Sequence, residues 1–248
     1  MQSEEVSIVY CDESEKIMIN NYNDFCDALI NAGFSLGSGG NNEGVFALLE
    51  HNWDNQPPDS KIQWHTGNPE TDPWEWRMRV LDERTDIAYG KLFFKKSGYI
   101  TKEWYPYFLA ARRDGKTFDD MYSDGLMSHF ARRIYDMLRD GGAVPSHGLK
   151  QLCGFSKEEK GKFDSALIEL QMGLFVTMCG RKQKISMKGQ EYGWASTMFC
   201  TTEEFWDDEV FHAAAKLTKE EAKAAITEQI YKLNPNALPK KVAKFILK

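Results

Sequence analysis

A chain of 248 residues with 42% hydrophobic and 27% charged side chains and a net charge of −6 has the balance of a globular protein, with room for one large domain or two small ones. No run approaches the roughly 18 apolar residues that a bilayer span needs, and the acidic start Met1-Gln2-Ser3-Glu4-Glu5 lacks a signal-peptide core, so a cytoplasmic protein is expected. Five cysteines, at 11, 26, 153, 179 and 200, contain no CxxC spacing, which argues against a zinc site and a disulfide framework and for reduced thiols.

Residues 1–60 hold eleven Asp or Glu and one Lys, a net −10, which leaves +4 for the rest. A mildly basic body behind an acidic front permits nucleic-acid binding without requiring it. One edge strand is expected at Val6–Tyr10. A helix follows from Asn23, with Phe25, Leu29 and Ile30 at helical spacing and Gly33 as its C-cap. Residues 37–42 read as a flexible glycine loop whose spacing matches neither phosphate-binding glycine pattern. Asn42 is placed to cap a short helix over Glu43–His51. Pro57, Pro58 and Pro69 make residues 52–72 a loop. Asp72 then caps a helix with Pro73 at its first position, Trp76, Val80 and Leu81 inward, and Arg77, Arg79 and Arg84 nearby. A strand at Ile87–Phe94, a turn at Lys95–Gly98 and a returning strand at Tyr99–Thr101 come next, then an aromatic-rich helix or turn over Trp104–Arg113.

The second half repeats this plan. Helices are expected at Ser128–Arg139, Gly148–Cys153 and Lys160–Met172, then a strand at Phe175–Cys179, a basic loop over 180–184 and a returning strand near Trp194–Cys200. Three helices followed by a hairpin with a basic tip is the winged-helix order, in which the third helix commonly enters the major groove and the wing touches phosphates. Thr218 and Glu221 form a capping box at the start of a helical tail. Residues 233–236 interrupt that tail, and a basic helix ends it around Lys240–Lys248.

The densest group of hydrogen-bonding and stacking side chains is Lys61-Ile62-Gln63-Trp64-His65-Thr66-Gly67 with Asp72-Pro73-Trp74-Glu75-Trp76-Arg77. If the first segment is extended, alternation puts Gln63 and His65 on one face and Trp64 on the other. A polar pair that merely satisfies loop carbonyls is the plainer reading.

These residues carry a resemblance. QWHTGNPETDPWEWR at 63–77, AYGKLFFKKSG at 88–98, EWYPYF at 103–108, ALIELQ at 166–171 and YGW at 192–194 resemble the AlkZ-related proteins, relatives of the AlkZ/YcaQ-type winged-helix DNA glycosylases. The resemblance runs through roughly residues 21–206. It implies an α+β, mostly α fold of tandem winged helices with short β-hairpin wings. Its implied divisions are an acidic segment 1–20, winged-helix domains at 21–120 and 121–206, and a helical extension over 207–248. It also implies removal of alkylated or crosslinked bases from double-stranded DNA, with no metal or organic cofactor.

The family's catalytic motif is Gln-hydrophobic-Gln or Gln-hydrophobic-Asp, some residues before a Trp-Arg element. Gln63 matches the first Gln, Trp64 the spacer, and Trp76 and Arg77 the downstream pair, whereas His65 replaces the second Gln or Asp. An amide orients water without changing charge; an imidazole also exchanges a proton near neutral pH. Arg77, Lys95, Lys96, Arg181, Lys182 and Lys184 are the candidate DNA contacts, and Arg112-Arg113 and Arg132-Arg133 are candidates to line the same surface. For Arg77 and Arg79, pairing with Asp72, Glu75 or Asp82 is equally consistent. A non-catalytic DNA-binding or regulatory module and a protein-interaction scaffold remain alternatives, because fold does not fix function.

Overall fold

The computed structural model describes residues 9–11, 15–17, 19–37, 44–49, 61–185, 189–193 and 195–247. The fold is α+β, about half helical, around a six-stranded antiparallel sheet. A two-stranded ribbon, β1 (Val9–Cys11) with β2 (Glu15–Ile17), comes first; the rest of the edge strand expected at Val6–Tyr10 lies outside the described residues. The next elements are α1 (Tyr22–Ala32), β3 (Phe34–Leu36), α2 (Pro73–Glu83), β4 (Ile87–Phe93) and β5 (Lys96–Thr101). Two connecting helices follow, α3 (Tyr105–Arg113) and α4 (Phe118–Ser123). Then come α5 (His129–Gly141), β6 (Val144–Pro145), α6 (Ser146–Leu152), α7 (Lys160–Met172), β7 (Val176–Lys182) and β8 (Ser196–Thr201). The chain ends in α8 (Thr202–Phe205), α9 (Asp208–Ala214), α10 (Lys219–Leu233) and α11 (Pro239–Leu247).

Local rules place most helix ends. Gly33 ends α1 at φ +87° and donates its N–H to the Leu29 carbonyl at 2.8 Å, a conformation glycine adopts without a Cβ penalty. Asp72 caps α2 ahead of Pro73, and the Thr218–Glu221 capping box opens α10. Of the helix expected over 43–51, the described residues 44–49 form turns and a bridge from Ala47 to Leu36; the remainder lies outside the described residues.

The sheet order is β3-β5-β4-β7-β8-β6. Read from either end, it gives a short strand, a returning strand, then the first strand of a hairpin. Each half therefore contributes a short strand paired to the returning strand of a hairpin; one described helix, α2, separates the two in the first half and two helices, α6 and α7, in the second. Each hairpin also carries an irregularity, between Gly90 and Phe93 in one and between Met178 and Arg181 in the other. The halves meet where β4 pairs with β7 at Tyr89 and Met178. Because β4 and β7 are antiparallel, their hairpin turns lie at opposite ends of the sheet. Helix α2 packs across β7, and α7 across β4.

Both hairpins differ from expectation. The first turn is Phe94–Lys95, both left-handed (φ +51° and +62°), as a two-residue hairpin turn requires. Lys96 begins β5 opposite Phe93 instead of lying in the turn. Gly98 is a strand residue facing Gly90, where a Cβ would sit 2.5 Å from the Phe93 ring. In the second hairpin a bulge lets β7 continue to Lys182, so Arg181 and Lys182 are strand residues and not part of a loop.

Two apolar clusters fill the molecule. One joins α1, β3, β4, β5 and α3 with α10 and α11, and the other spans Phe118 to Phe199; Met178 packs against both. Residues 207–247 fold back onto the first half: Phe245 stacks on Phe93 with centroids 3.9 Å apart and touches Phe34 at 5.7 Å. Arg112 and Arg113 do not face a ligand surface. Arg112 is buried and donates to the carbonyls of Ile246 (2.8 Å), Phe245 (2.9 Å), Leu92 (3.0 Å) and Met172 (3.0 Å). Burial pushes its pKa down to about 9, while carbonyl dipoles at the ends of α7 and α11 stabilise the cation. Arg113 binds Glu203 and Thr202 (2.9 Å each) and the Leu174 carbonyl. Arg132 pairs with Asp119 and Asp136, and Arg133 donates to the Cys153 carbonyl.

Candidate nucleic-acid interface

The Gln63–His65 segment is a turn, not a strand, and its organiser is Asp72. This carboxylate is fully buried and accepts three backbone N–H groups: His65 at 3.0 Å, Gly67 at 2.9 Å and Trp74 at 2.8 Å. One side chain thus caps α2 and folds the preceding loop onto it. His65 takes φ +60°, which costs about 1 kcal/mol or more for a residue with a Cβ. The charge-assisted bond from its N–H to Asp72 offsets that strain. Gln63 donates its N–H to the Thr71 carbonyl at 3.0 Å and closes the loop. Ile62 is buried, Gln63 exposed, Trp64 half-buried and His65 exposed. The in–out order expected of a strand is kept, by a different backbone.

On α2 the two tryptophans diverge. Residues two apart on a helix point about 200° away from each other, so Trp74 and Trp76 cannot both face the core. Trp76 is fully buried and donates its indole N–H to the Pro69 carbonyl at 3.1 Å; Trp74 is 44% exposed. The His65 ring leans on Trp74 at 4.8 Å and 42°, and the Arg77 guanidinium lies 3.8 Å from its ring centre. Trp74 was not singled out from sequence, although the Trp-x-Trp spacing on a helix carried the signal.

The arginines of α2 separate in the same way. Arg79 is committed to Glu83 and Glu70 (2.9 Å each) and to the Pro69 carbonyl (2.8 Å), and lies over the Tyr22 ring at 3.9 Å. Arg77 makes no ion pair among the described residues; its side chain contacts Met78 Sδ at 3.1 Å, and its buried Nε lacks a hydrogen-bond partner. Asp82 pairs with Arg181, whose Nε donates at 2.8 Å. That bridge ties the end of β7 to α2. Trp74, Arg77, Met78 and Asp82 fall at i, i+3, i+4 and i+8, along one face of the helix for about 12 Å.

Beyond Arg181, Lys182 is exposed at the end of β7 and Lys184 is half-buried. The loop folds back on itself: the Tyr192 N–H donates to the Lys184 carbonyl at 3.0 Å, and Ile185 bridges Glu191. Ile185 and Tyr192 stand 63% and 54% exposed. The six expected DNA contacts therefore divide. Arg77, Arg181, Lys182 and Lys184 continue the line from Gln63 and His65 along α2 into the second hairpin. Lys95 and Lys96 lie at the other end of the sheet, beside α11, where Phe94 meets Phe245 at 6.0 Å and Lys241 lies 5.7 Å from the Phe94 ring.

Among the described residues no cluster of three His, Cys, Asp or Glu is arranged to hold a metal, and no helix is long and apolar enough to cross a membrane. Cys26, Cys153, Cys179 and Cys200 are free thiols. The chain matches no curated protein and no solved structure. A model of the AlkZ-related family matches residues 19–247, almost the whole length, and the chain belongs to that family.

Proposed function

We propose that this protein binds double-stranded DNA and hydrolyses the N-glycosidic bond of alkylated or crosslinked bases, with Gln63 and His65 acting on the water. Residues 21–120 and 121–206 are read as two winged helices, and 207–248 as a helical addition. In both units the short strand pairs with the returning strand of the hairpin, as in that architecture. Membership of the AlkZ-related family supports the reading. The observation that carries it is the placement of the exposed Gln63–His65 turn. Asp72 anchors that turn at the head of α2, whose one face bears Arg77 and, through Asp82, the second hairpin.

In the proposed step the Gln63 amide orients a water and the His65 imidazole accepts its proton as the oxygen bonds to C1′ of the sugar. The C1′–N bond breaks and its electron pair passes to the base. A base made cationic by N-alkylation leaves neutral, and an abasic site remains. The step balances without a redox partner. Release of base from a methylated duplex, followed by chromatography, tests it. Gln63→Ala and His65→Ala should each slow release by about 100-fold or more while DNA affinity stays within about twofold. Full activity in both variants contradicts the assignment.

One observation favours a second reading, a non-catalytic DNA-binding or regulatory module: Gln63 and His65 lie exposed in a surface turn, not in an enclosed cavity. That reading expects salt-sensitive DNA affinity and no base release from the unmodified protein.

A further inference from the structure

We infer that Trp74 is a stacking platform for an unstacked nucleobase, with Arg77 as the cation that meets the adjoining phosphate. The inference rests on the DNA-binding reading and names the feature of DNA that this surface selects. Four observations carry it.

Among the described residues Trp74 is the outlying tryptophan: Trp76 and Trp206 are buried, Trp64 and Trp104 are half-buried, and Trp74 is 44% exposed. The part of the indole left exposed beyond the Arg77 guanidinium and the His65 ring that lie against it is surface a base can cover, and every base has a π-face to offer it. Arg77 lies against that indole with no ion pair among the described residues, whereas Arg79 on the same helix holds two carboxylates. A cation therefore stays beside the ring instead of being neutralised, and a planar guanidinium suits both an aromatic face and a phosphate.

The amides at the start of α2 are already used. The Asp72 carboxylate takes the Trp74 N–H, and the Asp72 carbonyl takes those of Glu75 and Trp76 at 2.9 and 3.2 Å. Anion binding by a bare helix N-terminus is thereby closed off, which leaves the ring and the guanidinium as the recognition groups. Finally, Asp72 clamps the backbones of Trp74 and His65 together. The platform is fixed relative to the turn that carries Gln63, and a base seated on the indole would present its sugar to that turn. The His65 ring meets the indole at 42° instead of lying parallel to it, so the two rings do not form a closed face-to-face stack.

The test is fluorescence anisotropy with two labelled duplexes of one sequence, fully paired and with a single unpaired base, read for the unmodified protein, Trp74→Ala and Trp74→Phe. The unmodified protein should prefer the duplex with the unpaired base. Trp74→Ala should lose about tenfold in affinity for that duplex and stay within about twofold on the paired one; Trp74→Phe should keep most of the preference. Circular dichroism melting checks that each variant is folded. An unchanged preference in folded Trp74→Ala, or no preference in the unmodified protein, overturns the platform while leaving DNA binding and base release standing. Absence of binding to either duplex overturns the DNA-binding reading itself. An exposed indole that captures an aromatic peptide would give that last result.

Discussion

The two hairpins occupy equivalent positions in a sheet whose order is the same from either end, yet they are built differently. The first closes through the two-residue turn Phe94–Lys95, and its strands are packed by Phe93 against Phe245 and by Gly98 beneath the Phe93 ring. The second has more chain between its strands, which end at Lys182 and resume at Ser196, presents Ile185 and Tyr192 to solvent, and is tied to α2 through Arg181 and Asp82. Both carry adjacent basic residues. Positive charge at a hairpin does not distinguish them; what each hairpin packs against does. The first belongs to the core that the C-terminal helix completes. The second continues the surface that begins at Gln63 and His65.

Breaking the first hairpin should have the largest effect on stability. Phe245 is fully buried and touches Phe34, Phe93, Phe94 and Phe108. Phe245→Ala should destabilise the fold by about 3–5 kcal/mol in urea unfolding. A loss under about 1 kcal/mol would mean that α11 does not lock this hairpin. Asp72→Ala, which acts on the opposite surface, should cost about 2 kcal/mol, since it removes a helix cap and takes the acceptor from the part-buried N–H groups of His65, Gly67 and Trp74. It should also slow base release more than its stability loss explains, because the Gln63–His65 turn loses its anchor. Asp82→Asn should be the mildest on stability. The Arg181–Asp82 pair is about one-third exposed on both sides, so screening by water limits its loss to about 0.5 kcal/mol. Freeing Arg181 should instead tighten DNA binding severalfold at low salt, and unchanged binding would remove Arg181 from the interface.

What was legible in the sequence was local. Gly33, Asp72 with Pro73, and Thr218 with Glu221 mark helix ends through bonds that reach only a few residues, and each was found where expected. Less legible features depend on distant partners. The left-handed turn at His65 is fixed by a carboxylate seven residues on. Burial of Arg112 depends on carbonyls at 92, 172, 245 and 246, far apart in the chain. The two-residue strand β6 is too short to have a period, and the halves of the sheet meet in one residue pair, Tyr89 with Met178. Gln63 and His65 stood out as polar residues in a dense segment, and the resemblance to the AlkZ-related proteins gave them their expected role. Their neighbour Trp74 belongs to the same dense segment, but its exposure depends on which face of α2 packs inward, and only Trp76, Val80 and Leu81 were assigned there.

The contrast between the hairpins comes down to one measurement, the affinity of Lys182→Glu and Lys95→Glu for a paired duplex at two salt concentrations. The two substitutions make the same change of charge at exposed lysines at opposite ends of the sheet. The interface described here predicts that Lys182→Glu weakens binding about tenfold and flattens its salt dependence, while Lys95→Glu leaves both within about twofold. Equal losses in the two variants, or a larger loss in Lys95→Glu, would contradict it.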